Sequence, residues 1–228
     1  MTKTVVANHQ SKTNNIVYLH DKLQKDLFRV LYELYCFSKT NYGEMIVEKT
    51  DAILAKAEVS DQLKERIFPQ LVWWVIFQEP VNPDGSTIFQ RFTRINSNKW
   101  RQKSAVFHQL LTSWQSISPG FYMTKSVRES ERVGELVNIV GLKQYTVAVY
   151  NKVFEPLQCG ELLTGFLLPI GDGVYSSPVD LFHISINDAP NVTWEVLLQY
   201  HQHTNSTNQP PSPQLYLSLI TAALEVVD

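Results

Sequence analysis

Residues 68–94 read FPQLVWWVIFQEPVNPDGSTIFQRFTR, and this stretch decides how the rest of the chain can fold. It contains seven consecutive apolar residues, 71–77, which predict a segment that is buried on all sides and too short to cross a bilayer. We expect a helix that begins near Ser60, passes Pro69 with a kink and ends near Phe77. The sequence PVNPDG that follows predicts a tight turn, because proline fixes φ and an Asp-Gly pair tolerates positive φ.

The composition of the chain is that of a globular protein. It has 228 residues, of which 44% are hydrophobic, and a formal net charge of −2, which gives no general attraction to nucleic acids or anionic membranes. Residues 1–15 are polar and lack the apolar core of a secretory signal, so we expect a mobile tail and a cytoplasmic protein. Cys36 and Cys159 lie too far apart in sequence to form a local metal-binding pair, and we expect no metal and no cofactor.

The N-terminal half has the apolar spacing of helices. Leucines and other apolar residues at intervals of three and four predict an amphipathic helix from Ile16 to Leu34. Residues 41–43 interrupt this pattern, and a second, short helix is expected over residues 44–57. Together with the helices that follow, these form a predicted helical domain over residues 16–116.

A cluster of basic residues follows the central stretch. A helix capped by residues 96–98 is expected to carry three of them in its first turns, where cations oppose the helix dipole. Most such clusters are simply solvated, but this one is also a candidate surface for an anion or a nucleic acid. The predicted basic strip consists of Arg91, Arg94, Lys99, Arg101 and Lys103.

After Pro119 the apolar period changes from that of helices to that of strands. Alternating or β-branched segments occur at residues 121–127, 133–140, 145–150, 162–170 and 173–186. Short strands about ten residues apart, separated by glycines, predict a small antiparallel barrel of the SH3 or OB type over residues 117–186. Gly171-Asp172-Gly173 is expected to form a hairpin turn. With C-terminal helices over residues 187–228, the predicted fold class is α+β.

Few residues suggest chemistry. His201 and His203 lie near Glu195, but on a helix two positions with this spacing point about 200° apart, so they could share a metal ion only if the helix has ended there. The chain contains no GxSxG, GxxxxGK[ST] or HExxH motif, so no catalytic residue is predicted. Tyr145 and Tyr150 in the predicted barrel are candidate contact residues, because exposed aromatic rings bind bases or protein side chains.

Part of the chain resembles a known family. The order LVWWVIF, PDGSTIFQRF, LLTSWQS and GELLTGFLLPIGDGVYSS, which covers about residues 68–177, is similar to the N-terminal region of uncharacterised bacterial proteins that end in a zinc-binding tail of the SecA type, called SEC-C. The cysteine-rich tail is absent here, so the resemblance does not extend to zinc binding. It implies an accessory protein that acts by binding something.

These observations favour a non-enzymatic interaction module that binds a protein partner. Two alternatives stay open. A nucleic-acid-binding protein would combine the basic strip with exposed aromatic residues, and its affinity would fall steeply with salt. A hydrolase or transferase would have a deep pocket with converging polar groups and shifted pKa values.

Overall fold

A computed structural model describes residues 19–207 and 213–228, so the tail expected over residues 1–15 lies outside the described residues. Within them the fold is α+β, as predicted. The helices are α1 (Leu19–Leu54), α2 (Asp61–Gln78), α3 (Ile88–Trp100), α4 (Ala105–Ser113), α5 (Ala189–Thr207) and α6 (Pro213–Val227). The strands are β1 (Gly120–Arg128), β2 (Val133–Asn138), β3 (Gln144–Ala148), β4 (Leu162–Gly165), β5 (Leu168–Gly171), β6 (Val174–Ser176) and β7 (Phe182–Ile184).

The first helix is longer than the sequence suggested. We expected a break at residues 41–43 and two helices, but α1 runs through Gly43 without interruption. A glycine inside a helix costs only about 1 kcal/mol relative to alanine, which is small beside the burial of side chains such as Leu34 and Ile46 on either side of it. Asn41 does not end the helix either, because its side-chain amide donates to the Phe37 carbonyl one turn earlier.

The central stretch forms α2 and connects the helices to the sheet. α2 contains Pro69 in its interior and buries nearly all of its C-terminal half, as the apolar run predicted. Phe77 lies at the centre, with its ring centroid 4.9 Å from that of Phe89 on α3 and 5.4 Å from that of Phe166 next to β4. The turn that follows ends in a capping box, in which Thr87 and Gln90 satisfy each other's backbone amides at the start of α3.

The strands form an open seven-stranded sheet in the order β5-β6-β3-β2-β1-β4-β7, so the prediction of a closed antiparallel barrel is wrong. Most neighbours are antiparallel, but β3 and β6 are parallel, and within the described residues β5 and β7 each pair on one side only. The apolar period that predicted strands carries no information on whether the two outer strands meet. The hairpin turn at residues 171–173 is confirmed, since it joins β5 to β6 with positive φ at all three positions.

The sheet is nevertheless strongly curled. Only Phe166 and Leu167 separate β4 from β5, and so short a connection spans at most about 11 Å. In a flat sheet these two strands, five positions apart, would lie about 24 Å from each other. The curl explains why the sequence of the strands looks like that of a small barrel.

The curl divides the interior into two apolar clusters. The inner face of the sheet holds a small cluster that includes Tyr122, Leu136, Val147 and Leu163. The outer face packs against the helices in a larger cluster, which contains residues of all six helices. Alternation along the strands assigns neighbouring residues to opposite clusters, because successive side chains of a strand point to opposite faces.

The C-terminal helices close the large cluster. α6 buries most of its apolar residues, and the Tyr216 hydroxyl forms a 2.9 Å hydrogen bond with Thr164 Oγ1 on β4. At its end, the Asp228 carboxylate accepts from the Ser60 amide at 3.1 Å, next to the beginning of α2. The last helix therefore links the sheet to the central helix.

Candidate functional site

The basic strip is arranged differently from the prediction. The helix expected to begin after residues 96–98 does not exist as such: α3 ends at Trp100 and α4 begins at Ala105. Lys99 therefore lies in the last turn of α3, where a cation is favourable with respect to the helix dipole. Phe92 and Trp100 are both buried, so the apolar side of α3 continues to Trp100, the residue at which this helix ends.

The two arginines of the strip hold the turn before α3. Arg94 Nη1 lies 2.8 Å from Asp84 Oδ2, and Arg91 Nη1 donates to Asn82 Oδ1 at 2.9 Å. The hydroxyl and the backbone amide of Ser86 also donate to Asp84. Hydrogen bonds from Ser86 and from Arg94 hold the pKa of Asp84 well below its usual value. Both arginines thus have a structural partner.

The lysines of the strip are paired with carboxylates of α1. Lys99 Nζ lies 2.7 Å from Glu33 Oε2, and Lys103 Nζ lies 2.6 Å from Asp26 Oδ2. Arg101 is exposed in the short linker between α3 and α4. Because intrachain carboxylates offset most of its charge, the strip is not a continuous cationic surface within the described residues.

Tyr145, one of the two predicted aromatic contact residues, is packed against its neighbours. Its ring meets those of Tyr122 and Tyr175 edge to face at centroid distances of 5.5 and 4.9 Å, and Lys143 Nζ lies 5.0 Å above it. Partial burial raises its pKa. The ring therefore forms the border of the inner cluster, where it stabilises the sheet.

Tyr150, the other predicted contact residue, lies in a different place. Two residues after β3 ends, its ring packs edge to face on Phe28 of α1 at a centroid distance of 5.2 Å, and its hydroxyl donates to Gln24 Oε1 at 3.3 Å. The side chain is 48% exposed. The structure therefore separates Tyr145 from Tyr150 and brings Tyr150 to the helical part of the fold.

Tyr150 forms one wall of a groove of about 560 Å³ between α1 and the loops that follow β3 and β6. We name this the tyrosine groove. Two further tyrosines of its lining, Tyr32 and Tyr35, are 69% and 46% exposed. The aromatic and proline residues of its lining are Phe28, Tyr32, Tyr35, Trp73, Tyr150, Phe154 and Pro178.

The aromatic residues of α1 that form the helical side of the groove were not among the predicted contact residues. Phe28, Tyr32 and Tyr35 occur at i, i+4 and i+7 of α1, a spacing that places them on one side of a helix. They were overlooked because the leucine stripe, with Leu27 and Leu34 among its members, lies directly beside them and accounts for the helix by itself. The sequence did contain a signal for this side of the groove, namely a second stripe on the amphipathic helix that is made of aromatic residues.

A buried ionic cluster lies close to the groove, beside a small cavity that shares Ser177 and Val179 with the groove lining. His183 Nδ1 on β7 lies 2.8 Å from Glu161 Oε2, and both side chains are more than 90% buried. His183 Nε2 lies 3.7 Å from Asp180 Oδ1 and has no hydrogen-bond partner among the described residues. No sequence motif marks this cluster, because it is the pairing of β4 with β7, with Leu163 opposite His183, that brings the two side chains together.

Electrostatics makes this cluster a structural ion pair. Burial lowers the pKa of His183, but the Asp180 carboxylate near its Nε2 and the hydrogen-bonded, negatively charged Glu161 outweigh that effect and raise the pKa to about 9. The imidazole is therefore protonated at neutral pH and cannot accept a proton as a general base. The adjoining cavity, lined by Ser177, Asp180 and His183, measures about 10 Å³, which is room for a single water molecule.

Residues 19–207 and 213–228 contain no group of three or more His, Cys, Asp or Glu side chains arranged to hold a metal ion. No helix in these ranges combines the length and the apolar character that a membrane span requires.

Comparisons with protein-family models, curated proteins and solved structures found no match to this chain. The resemblance to proteins with a SEC-C tail therefore stays a prediction.

Proposed function

We propose that this protein is a non-enzymatic interaction module that binds a protein partner through the tyrosine groove. The observation that carries the proposal is the exposure of Tyr32, Tyr35 and Tyr150 around one groove. Tyrosine rings bury a large area on binding at a low cost in conformational entropy, and tyrosine is enriched at protein interfaces.

The shape of the groove favours a polypeptide over a small molecule. Its volume is within the range of small-molecule pockets, but such pockets enclose 70–90% of their ligand. Here the tyrosines stand at the rim with about half of their surface or more in solvent. A partner that covers these rings has to extend beyond the groove, as a peptide segment or a protein surface does.

The structure also supports a groove that exists before the partner binds. Its helical wall belongs to α1, whose neighbouring residues Leu27, Val30 and Leu34 are buried in the large apolar cluster. Tyr150 is held against that wall by Phe28 and Gln24. A pre-formed surface loses little conformational entropy on binding, so the gain from covering the rings is retained.

A displayed library of random 16-residue peptides tests this function. The wild-type protein is the bait, and the variant Tyr32→Ala/Tyr35→Ala, altered at two exposed rings, is used for counter-selection. We expect enriched peptides that bind the wild type and bind the variant at least about tenfold more weakly, because two aromatic contacts are lost. Trp194→Ala is the matched control, since Trp194 is 71% exposed on α5 and lies outside the groove. Peptides that bind all three proteins equally would contradict the proposal.

A further inference from the structure

Three exposed lysines that form no ion pair with a described carboxylate lie next in sequence to residues of the tyrosine groove or one helical turn from them. Lys25 precedes Phe28 by three residues on α1, and Lys39 follows Tyr35 by four, so each lies one helical turn beyond the aromatic stripe on the same side. Lys152 follows the groove residue Asn151 on the opposite wall. All three lysines are exposed.

These lysines differ from those of the basic strip. Lys99 and Lys103 are paired with carboxylates of α1, whereas Lys25, Lys39 and Lys152 form no ion pair with another described residue. Their charges are therefore available to a molecule that enters the groove. Exposed ammonium groups near an aromatic surface make an environment that attracts negative charge.

The carboxylates near the groove do not cancel this charge. Glu33, next to Tyr32 in sequence, is paired with Lys99. This leaves two carboxylates, Glu155 next to Phe154 and Asp180 next to Val179, against three lysines, because the charge of His183 is already balanced by Glu161. The rim of the groove therefore carries a net positive charge, although the whole chain has a formal net charge of −2.

We infer that the occupant of the tyrosine groove is an acidic peptide segment of a partner protein, with one or more large apolar side chains flanked by Asp or Glu. The apolar side chains cover the rings of Tyr32, Tyr35 and Tyr150, and the carboxylates meet the ammonium groups of the rim. This inference rests on the proposed function, because it specifies the chemistry of the partner for the same groove. Complementary charge at the rim acts chiefly on specificity and on the rate of association.

The composition of the groove-dependent peptides selected from the random library tests the inference. We expect these peptides to be enriched in Asp and Glu and to have a negative net charge. Groove-dependent peptides that are neutral, basic or proline-rich would overturn the inference while leaving the proposed function intact. A library that gives no groove-dependent peptide would overturn both.

A charge-reversal variant gives an independent measurement on the tightest-binding acidic peptide, synthesised with a fluorescent label. The change Lys25→Glu/Lys39→Glu/Lys152→Glu is expected to weaken binding about tenfold or more, because each attraction becomes a repulsion. The control Lys56→Glu/Lys64→Glu/Lys125→Glu makes the same change in net charge at positions that are neither next in sequence to a residue of the groove lining nor one helical turn from one.

Circular dichroism checks that both variants are folded. Equal affinity of the two variants would overturn the inference, because net charge alone would then explain the effect. The same peptide with Gln and Asn in place of Glu and Asp should bind the wild type more weakly than the acidic peptide does, but more tightly than the acidic peptide binds the groove variant, because it removes the attraction without adding a repulsion.

Discussion

The ion pair between His183 and Glu161 is the residue-scale feature with the largest expected effect on stability. Both side chains are more than 90% buried, so each charge relies on the other for compensation. Glu161 also accepts from the Gln158 amide at 2.5 Å, which orders the chain just before β4. The ion pair thus holds the residues just before β4 against β7.

Stability should depend on pH through His183. Its pKa is raised from 6.5 to about 9 in the folded protein, so folding is favoured by proton binding. The stabilisation is fully present below pH 6.5 and is lost as the pH rises through about 9. Urea unfolding at pH 6, 7.5 and 9 is expected to show a midpoint that falls across this series.

The double variant His183→Leu/Glu161→Leu is the control for this pH series, because it lacks both charges. It should lose most of the fall in midpoint between pH 6 and pH 9. An identical pH dependence in the wild type and the double variant would show that other groups are responsible.

Replacing one member of the His183–Glu161 pair should lower the free energy of unfolding more than replacing both members. We expect His183→Leu alone to lower the free energy of unfolding at pH 7 by about 3–5 kcal/mol, because it leaves the Glu161 carboxylate buried without its counter-charge. The double replacement with leucine should cost much less, since a buried ion pair replaced by apolar residues is often close to neutral. Urea unfolding of both variants measures this difference, and equal losses would argue against charge compensation.

At the scale of elements, α1 and β4 each contain a glycine, and the space around the two glycines differs. That space decides whether a side chain can be added at each position. Gly165 ends β4 with φ of +147°, and a Cβ atom there would lie 2.5 Å from Gln70 Oε1. Gln70 is buried in α2, and its side-chain amide is engaged with the Asp180 carbonyl. Gly43 in α1 has nothing within 4 Å of a Cβ position. Replacement of glycine with alanine should therefore have opposite effects on stability at the two sites.

Gly165→Ala is expected to destabilise the protein by at least about 2 kcal/mol, because it combines a backbone conformation that alanine disfavours with a clash against a buried side chain. Gly43→Ala should stabilise it by about 0.5–1 kcal/mol, because alanine is the better helix former. Thermal unfolding of both variants against the wild type measures the two shifts. A gain in stability at Gly165, or a loss at Gly43, would contradict this account of the two elements.

The whole molecule depends on its last helix. α6 buries seven residues, among them Tyr216 and Leu219, and places Tyr216 against Thr164 of the sheet. A chain that ends at residue 212 should lose its cooperative unfolding transition, because it exposes an apolar surface of the large cluster to water. Differential scanning calorimetry tests this prediction.

The matched small change in the same region is Asp228→Ala, which removes the carboxylate that accepts from the Ser60 amide. This variant should keep the cooperative transition and lose no more than about 1 kcal/mol. A truncated chain that still unfolds cooperatively near the wild-type temperature would show that α6 is not part of the folding unit.

The spacing of apolar residues predicted the secondary structure well where that spacing was regular. The switch of period after Pro119 and the apolar run of residues 71–77 both correspond to observed elements. These features could be predicted because helix and strand periods are written in neighbouring residues. The break expected at residues 41–43 and the helix expected after residues 96–98 failed because tertiary burial decided where those helices end.

The sequence by itself determined the α+β class, the change from helices to strands after Pro119 and the hairpin at residues 171–173. The tertiary structure alone decided that the sheet is open, that carboxylates of α1 pair with Lys99 and Lys103, and that Tyr150 meets Tyr32 and Tyr35 at one groove. The physical reason is that periodicity depends on neighbours along the chain. Strand closure, ion pairing and surface grooves depend instead on side chains that only folding brings together.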